Sequence, residues 1–170
     1  MGQPYGYQSP PPTYNPAVIR SVWRCFWCLF LSGGLWGFAW IYHTTKEVTP
    51  HVRQGAQSPG ARAALFLIPI YNLVLLYQMF EEINDYCQRT RSQDFNVVLF
   101  FILSIFGFGF ITYPLVQMRL NDAHRAATNG AAQQAPMETI DWVFVGIGIA
   151  FFVLWVLLII VIIIAAASSN

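Results

Sequence analysis

Charge is scarce in this sequence: nine Lys and Arg and eight Asp and Glu in 170 residues, or 10%, against about 25% in an average soluble domain. Seventeen charges cannot cover the surface of a soluble core of this size, which excludes an ordinary soluble globular domain. The net charge of +1 comes with no basic cluster, so a nucleic-acid surface is excluded as well. Cys25, Cys28 and Cys87 are too few and too scattered for a disulfide framework. Signatures of serine hydrolases, phosphate loops and dinucleotide folds are missing. Gly107-Phe108-Gly109 and Gly146-Ile147-Gly148 lie in apolar runs without the strand and loop such motifs require. No Asp, Glu, Lys or His lies well inside an apolar run, although proton- and ion-coupled carriers generally need one there.

Long apolar runs are what the chain does have. Trp142 to Ala167 is twenty-six residues without a charge, and about 20 apolar residues suffice to cross a hydrocarbon core roughly 30 Å thick. Val22 to Tyr42 is a second run, with Arg24 near enough to its start to snorkel and Ser32-Gly33-Gly34 inviting a kink in its middle. Ala63 to Phe80 is a third, with Pro69, Asn72 and Gln78 inside it. Phe95 to Met118 is a fourth, with Asp94 placed to cap it and Gly107, Gly109 and Pro114 within it. Past Phe80 the pattern predicts a helix lying at the membrane surface. Phe80, Ile83 and Cys87 share one face, and Glu81, Glu82, Asp85 and Arg89 take the other. Aromatics reach 16% and cluster near the run ends, as in an interfacial belt.

These runs predict an all-α integral membrane protein of about four transmembrane helices. A proline-rich, uncharged tail over residues 1–17 is expected to be disordered. A membrane domain follows over 18–125, with spans near 22–42, 63–80 and 95–118. A polar linker over 126–141 then leads to a C-terminal transmembrane helix over 142–167. Four crossings divide Lys and Arg four against five between the two sides, so charge does not orient them. A cytoplasmic N-terminus is the expectation, since the proline-rich tail carries no export signal. A rival topology breaks the first and third runs at their glycines into re-entrant hairpins, which leaves two full crossings.

Two stretches look alike beyond shared apolarity. Leu31-Ser32 followed by Gly37-Phe38 matches Leu103-Ser104 followed by Gly109-Phe110 at a spacing of 72. Lys46-Glu47-Val48, Glu81-Glu82-Ile83-Asn84 and Arg119-Leu120-Asn121 form similar charged exits from successive runs, which suggests an internal repeat. The stretch Ser32-Gly33-Gly34-Leu35-Trp36-Gly37-Phe38-Ala39-Trp40-Ile41-Tyr42 with Lys46-Glu47-Val48 resembles the signature T-x-G-I-Y-G-x-Y-W-x-Y…K-E-[IL]-N. That signature marks a family of small prokaryotic integral membrane proteins known only as a domain of unknown function. Ile68-Pro69-Ile70-Tyr71-Asn72, running to Asn84, and Phe106-Gly107-Phe108, running to Asn121, resemble its further segments. The resemblance covers residues 20–125, with Ala39 standing for an aromatic and Val48-Thr49 for Ile/Leu-Asn. It implies a bacterial cytoplasmic (inner) membrane protein and no particular chemistry.

Candidate chemistry is sparse, and each candidate has a plainer reading. Cys25-x-x-Cys28 has redox spacing, but it lies inside the first apolar run rather than at an activating helix N-terminus, so small packing residues are the favoured reading. His43 and Glu47, four apart, could share a metal or a proton, yet two ligands are not a site. Asn72 and Gln117, near Pro69 and Pro114, suit either a transporter's broken helices or interhelical hydrogen bonding, and packing is favoured. Pro11-Pro12-Thr13-Tyr14 fits the pattern read by WW domains, which matters only in a eukaryotic source. Gly146 and Ala150, one turn apart, are expected to pack against an earlier span or a second copy of this chain. No catalytic, cofactor-binding or metal-binding residue is predicted. The leading expectation is a non-enzymatic scaffold or subunit in the lipid bilayer, the alternatives being a small transporter or channel component and a WW-domain-binding adaptor.

Overall fold

The computed structural model describes residues 18–53 and 57–168. The expected tail, with Pro11 to Tyr14, lies outside the described residues. The chain is mostly helical. A two-residue strand β1 (Val18–Ile19) precedes helices α1 (Val22–Leu31), α2 (Trp36–Glu47), α3 (Thr49–Val52), α4 (Pro59–Leu65), α5 (Tyr71–Arg89) and α6 (Val97–Leu103). A bend of π-helical turns at Ser104–Phe108 leads into α7 (Gly109–Ala127), strand β2 (Gln133–Gln134) and α8 (Thr139–Ser168). Two helical stretches, Val97–Ala127 and Thr139–Ser168, are long and apolar enough to cross a membrane.

The expectation of one continuous helix in each of the first three apolar runs needs correction. The first run breaks at Gly33 and Gly34, whose φ angles of 59° and 92° lie in the left-handed region. A helix cannot continue through such residues, and glycine takes these angles without a Cβ penalty. The second run breaks over Phe66 to Ile70, ahead of α5. The third bends at Phe106 and Gly107, the latter at φ 89°. In that third run the Ser104 and Thr112 hydroxyls meet at 2.6 Å, although eight residues of straight helix would separate them by about 12 Å. Arg119 Nη1 likewise donates to Gln93 Oε1, across what would be about 39 Å of straight helix. Each run is therefore a V: a short first arm, a sharp turn, and a longer second arm that returns to the starting level.

The three Vs form a closed ring. The second arm of each packs on the first arm of the next: α2 on α4, α5 on α6, and α7 back onto α1. Trp40 of α2, Phe80 of α5 and Tyr113 of α7 meet at the centre as edge-on rings, with the Trp40 and Tyr113 centroids 4.7 Å apart. Beyond Phe80, α5 continues unbroken to Arg89 as expected. Glu82 lies in its buried face rather than the solvated one, because a cation from α4 meets it there. Helix α6 is capped by Asn96, whose side chain accepts from Leu99 N–H, rather than by Asp94. Asp94 lies two positions too early for that bond. The polar linker is held where Gln133 and Gln134 pair in parallel with Val18 and Ile19, and where Arg24 Nη1 donates to the Ala135 carbonyl at 2.7 Å.

Helix α8 docks against α1 and α2 through its first three turns, where Asp141, Val145 and Gly148 are buried. Of the two contacts expected at Gly146, the one with an earlier span is made at Gly148 instead. A Cβ on Gly148 would sit 2.3 Å from Ser32 Cα, whereas one on Gly146 would meet nothing within 4 Å. Gly146 and Ala150 lie on the exposed side of the helix. The spacing of small residues was legible, but the side facing the bundle is set by Asp141 and Val145. Gly148→Ala should therefore force the helices apart and destabilise the protein by about 1–3 kcal/mol, as overpacked cores do. Gly146→Ala should leave stability unchanged or slightly raised. Thermal unfolding in detergent, followed by tryptophan fluorescence, compares the two.

Candidate functional site

The open ends of the three Vs are drawn together by polar side chains that flank the apolar runs. Arg20, just before α1, is 3% exposed, and its Nη1 reaches both carboxylate oxygens of Glu47 at the end of α2, at 2.6 and 2.7 Å. Arg62 of α4 forks onto Glu82 of α5 at 2.7 and 3.1 Å. Arg119 of α7 closes the third V on Gln93. In each case one residue from the start of a V clasps one from its exit.

A second set of bonds joins each V to the next. Thr49, after α2, accepts from Arg62 Nη1 at 3.1 Å and donates to Glu82 at 2.8 Å. Asn84 accepts from the Phe95 N–H ahead of α6 at 3.0 Å. Asn121 of α7 accepts from the Arg20 N–H at 3.0 Å and donates to the Arg20 carbonyl at 2.6 Å, so the third V grips the backbone of the first. Asn84 and Asn121 belong to the charged exits whose likeness was visible in the sequence, and Thr49 directly follows the first of them.

Helix α8 joins this layer through Asp141. Its Oδ1 accepts from Trp36 Nε1 at 2.7 Å and lies 3.0 Å from His43 Nε2. Its Oδ2 accepts from the Glu138 N–H at 2.9 Å, the reach-back half of a capping box. Trp40 Nε1 donates to Gln117 Oε1 at 2.8 Å, and Gln117 passes a bond on to Asn121. His124 Nδ1 lies 3.2 Å from the Tyr86 hydroxyl. Burial pushes the Glu47 carboxyl above the ordinary carboxylate range, against the pull of the Arg20 guanidinium.

Among the described residues four buried side-chain nitrogens lack a direct hydrogen-bond partner: Arg20 Nε, Arg24 Nη2, His43 Nδ1 and His124 Nε2. The free histidine nitrogens face carboxylates, His43 toward Glu138 at 3.6 Å and His124 toward Glu47 at 3.9 Å. A bridging water closes gaps of this size. Among the described residues no hydroxyl or thiol bonds either of these two histidine nitrogens. Among the described residues, no three His, Cys, Asp or Glu side chains form a metal-ligand set. The arrangement is an ionic clasp.

The paired sequence candidates stay neighbours on their helices without forming a joint site. His43 and Glu47 take different partners, Asp141 and Arg20. Cys25 and Cys28 are buried and unbridged in α1. Gln117 sits in the polar layer, while Asn72 is only half-buried near the second turn. The sequence offered no convergent titratable set inside any run, and that expectation is corrected in one respect. Arg20, His43, Arg62, Glu82, His124 and Asp141 flank the runs, and folding each run back on itself brings the flanks into one buried layer. The available signal was a basic residue before a broken run and an acid after it, present in the first two runs, whereas the third has Gln93 before it and Arg119 after it.

Removing one partner from a buried ion pair leaves an uncompensated charge, at about 3–5 kcal/mol. Glu47→Leu should therefore destabilise the protein severely. Arg119→Met, whose contact with Gln93 is exposed, should cost no more than about 1 kcal/mol. Thermal unfolding of both variants in detergent checks the contrast. Neither a protein-family model, a curated protein nor a solved structure matches this chain.

Proposed function

We propose that this chain is a non-enzymatic membrane protein, a scaffold or subunit, built from three V-shaped helix pairs in one leaflet and one helix that crosses. The observation carrying this reading is the clasping of every V at its open end, by Arg20 with Glu47, Arg62 with Glu82, and Arg119 with Gln93. Chain that starts and finishes at one clasp does not cross. Arm lengths agree. The ten residues of α1 and seven of α6 rise about 15 and 10 Å, half or less of a hydrocarbon core roughly 30 Å thick. The arms and turns expose Trp23, Trp27, Phe30, Ile68, Ile70, Ile102 and Phe106, a surface that suits acyl chains rather than water.

This topology also supplies an orientation. All nine Lys and Arg precede Asp141, so they fall on the clasped side, and the far end of α8 has none. Nine against none favours a cytoplasmic clasped side. The segments joining one V to the next belong to that side. A monomeric transporter is disfavoured, because α8 alone supplies no walls for a path through the far leaflet. The exposed Gly146 and Ala150 face remains available to a second copy of this chain.

Cysteine labelling in intact cells tests the topology, with Cys25, Cys28 and Cys87 buried and quiet. Gln57→Cys, Asp94→Cys and Ala127→Cys should all label from the cytoplasmic side, and Ser168→Cys from the other. Four full crossings would instead group positions 57 and 127 against 94 and 168, and that pattern would overturn the proposal.

A further inference from the structure

The two ends of the molecule differ greatly in cross-section. Near the clasps, seven helical arms lie side by side: the six arms of the Vs and the first turns of α8. The first turn, at Ser32, meets α8 at Gly148. Phe30 and Leu31 reach only as far as Phe151, Phe152 and Trp155, with which they line a shared groove. From Ile149 to Ser168 no residue of α8 is buried. Past Trp155, the 13 residues to Ser168 extend about 20 Å as a lone helix.

From this we infer that the protein is a wedge that bends membranes, with the lipid surface itself as its partner. The inference rests on the topology proposed above. Seven arms in one leaflet against one helix in the other give an area imbalance of about 500 Å² per molecule, taking a helix as about 10 Å across. A leaflet with added area relaxes by curving convex on its own side, and helices confined to one leaflet are sensitive to curvature for that reason. At a loading that expands the hairpin leaflet by about a tenth, leaflets about 30 Å apart match at a radius of about 600 Å. The clasps make the wedge stiff. Arg20–Glu47 and Arg62–Glu82 hold the arms of two Vs together at the headgroup level, and Asn121 fixes the third V to the first. The arms therefore cannot splay to spread the imbalance.

Full-length protein carrying Asp94→Cys or Ser168→Cys is reconstituted from detergent into vesicles of phosphatidylcholine and phosphatidylglycerol in equimolar mixture. Vesicle size is read by electron cryomicroscopy over a series of protein-to-lipid ratios, and labelling is done on the same samples. The expected result is a diameter that falls with loading, with position 94 labelled from outside and position 168 from inside in the smallest vesicles. Sizes that do not change with loading, or that change with position 94 inside, would overturn the wedge while labels on opposite faces leave the topology standing. Labels at 94 and 168 on the same face would overturn both.

Discussion

The contact between Arg20 and Glu47 holds the ends of the first V together, and the rest of the architecture depends on closures of that kind. Two charges taken out of water are costly, and the mutual attraction repays the cost only when geometry is good and the remaining polar atoms are engaged. Arg20 meets the first condition and much of the second, its Nε alone lacking a direct partner. Its guanidinium reaches both oxygens of Glu47, and its backbone N–H and carbonyl are both taken by Asn121. One residue thus joins the exit of its own V to the last arm of the ring. Arg62 does the same work between α4 and α5, with the Thr49 hydroxyl as its link to the preceding V.

Turning a chain inside an apolar environment raises the opposite difficulty, because peptide groups freed at a turn have no water to bond. The first turn meets this within its own few residues. Gly34 N–H bonds back to the Leu29 carbonyl at 2.8 Å, and Gly33 N–H to Phe30 at 3.1 Å. The Ser32 hydroxyl donates to the Leu29 carbonyl and accepts from the Trp36 N–H. At the third turn the Ser104 hydroxyl bonds to the Phe100 carbonyl and meets Thr112. Serine at both turns, at the spacing of 72 seen in the sequence, has one physical explanation: a short side chain that bonds the backbone locally.

Polar clasps at one end and self-satisfied turns at the other make a bundle that suits one leaflet. The aromatic rings of Trp40, Phe80 and Tyr113 fill its centre, and α8 is fastened to its rim by Asp141 and the close approach of Gly148 to Ser32. Histidines in such a layer invite a catalytic reading. Their free nitrogens face carboxylates, His43 toward Glu138 and His124 toward Glu47, which ties both rings into the polar layer.

The sequence by itself determined the environment. Sparse charge, long apolar runs and the uncharged stretch from Trp142 to Ala167 follow from composition and length alone, which is all that matching a bilayer requires. It also marked the turns, since Gly33, Gly34 and Gly107 interrupt their runs, and it marked the recurring exits. Whether a glycine pair kinks a helix or reverses it was not legible, because both outcomes share the same local residues. The tertiary structure decided that, through partners far apart in the chain: Arg20 with Glu47 and Asn121, and Asp141 with Trp36 and His43. The same is true of Gly148. Three small residues lie within five positions of α8, and the one that packs is selected by which side of the helix Asp141 turns toward the bundle.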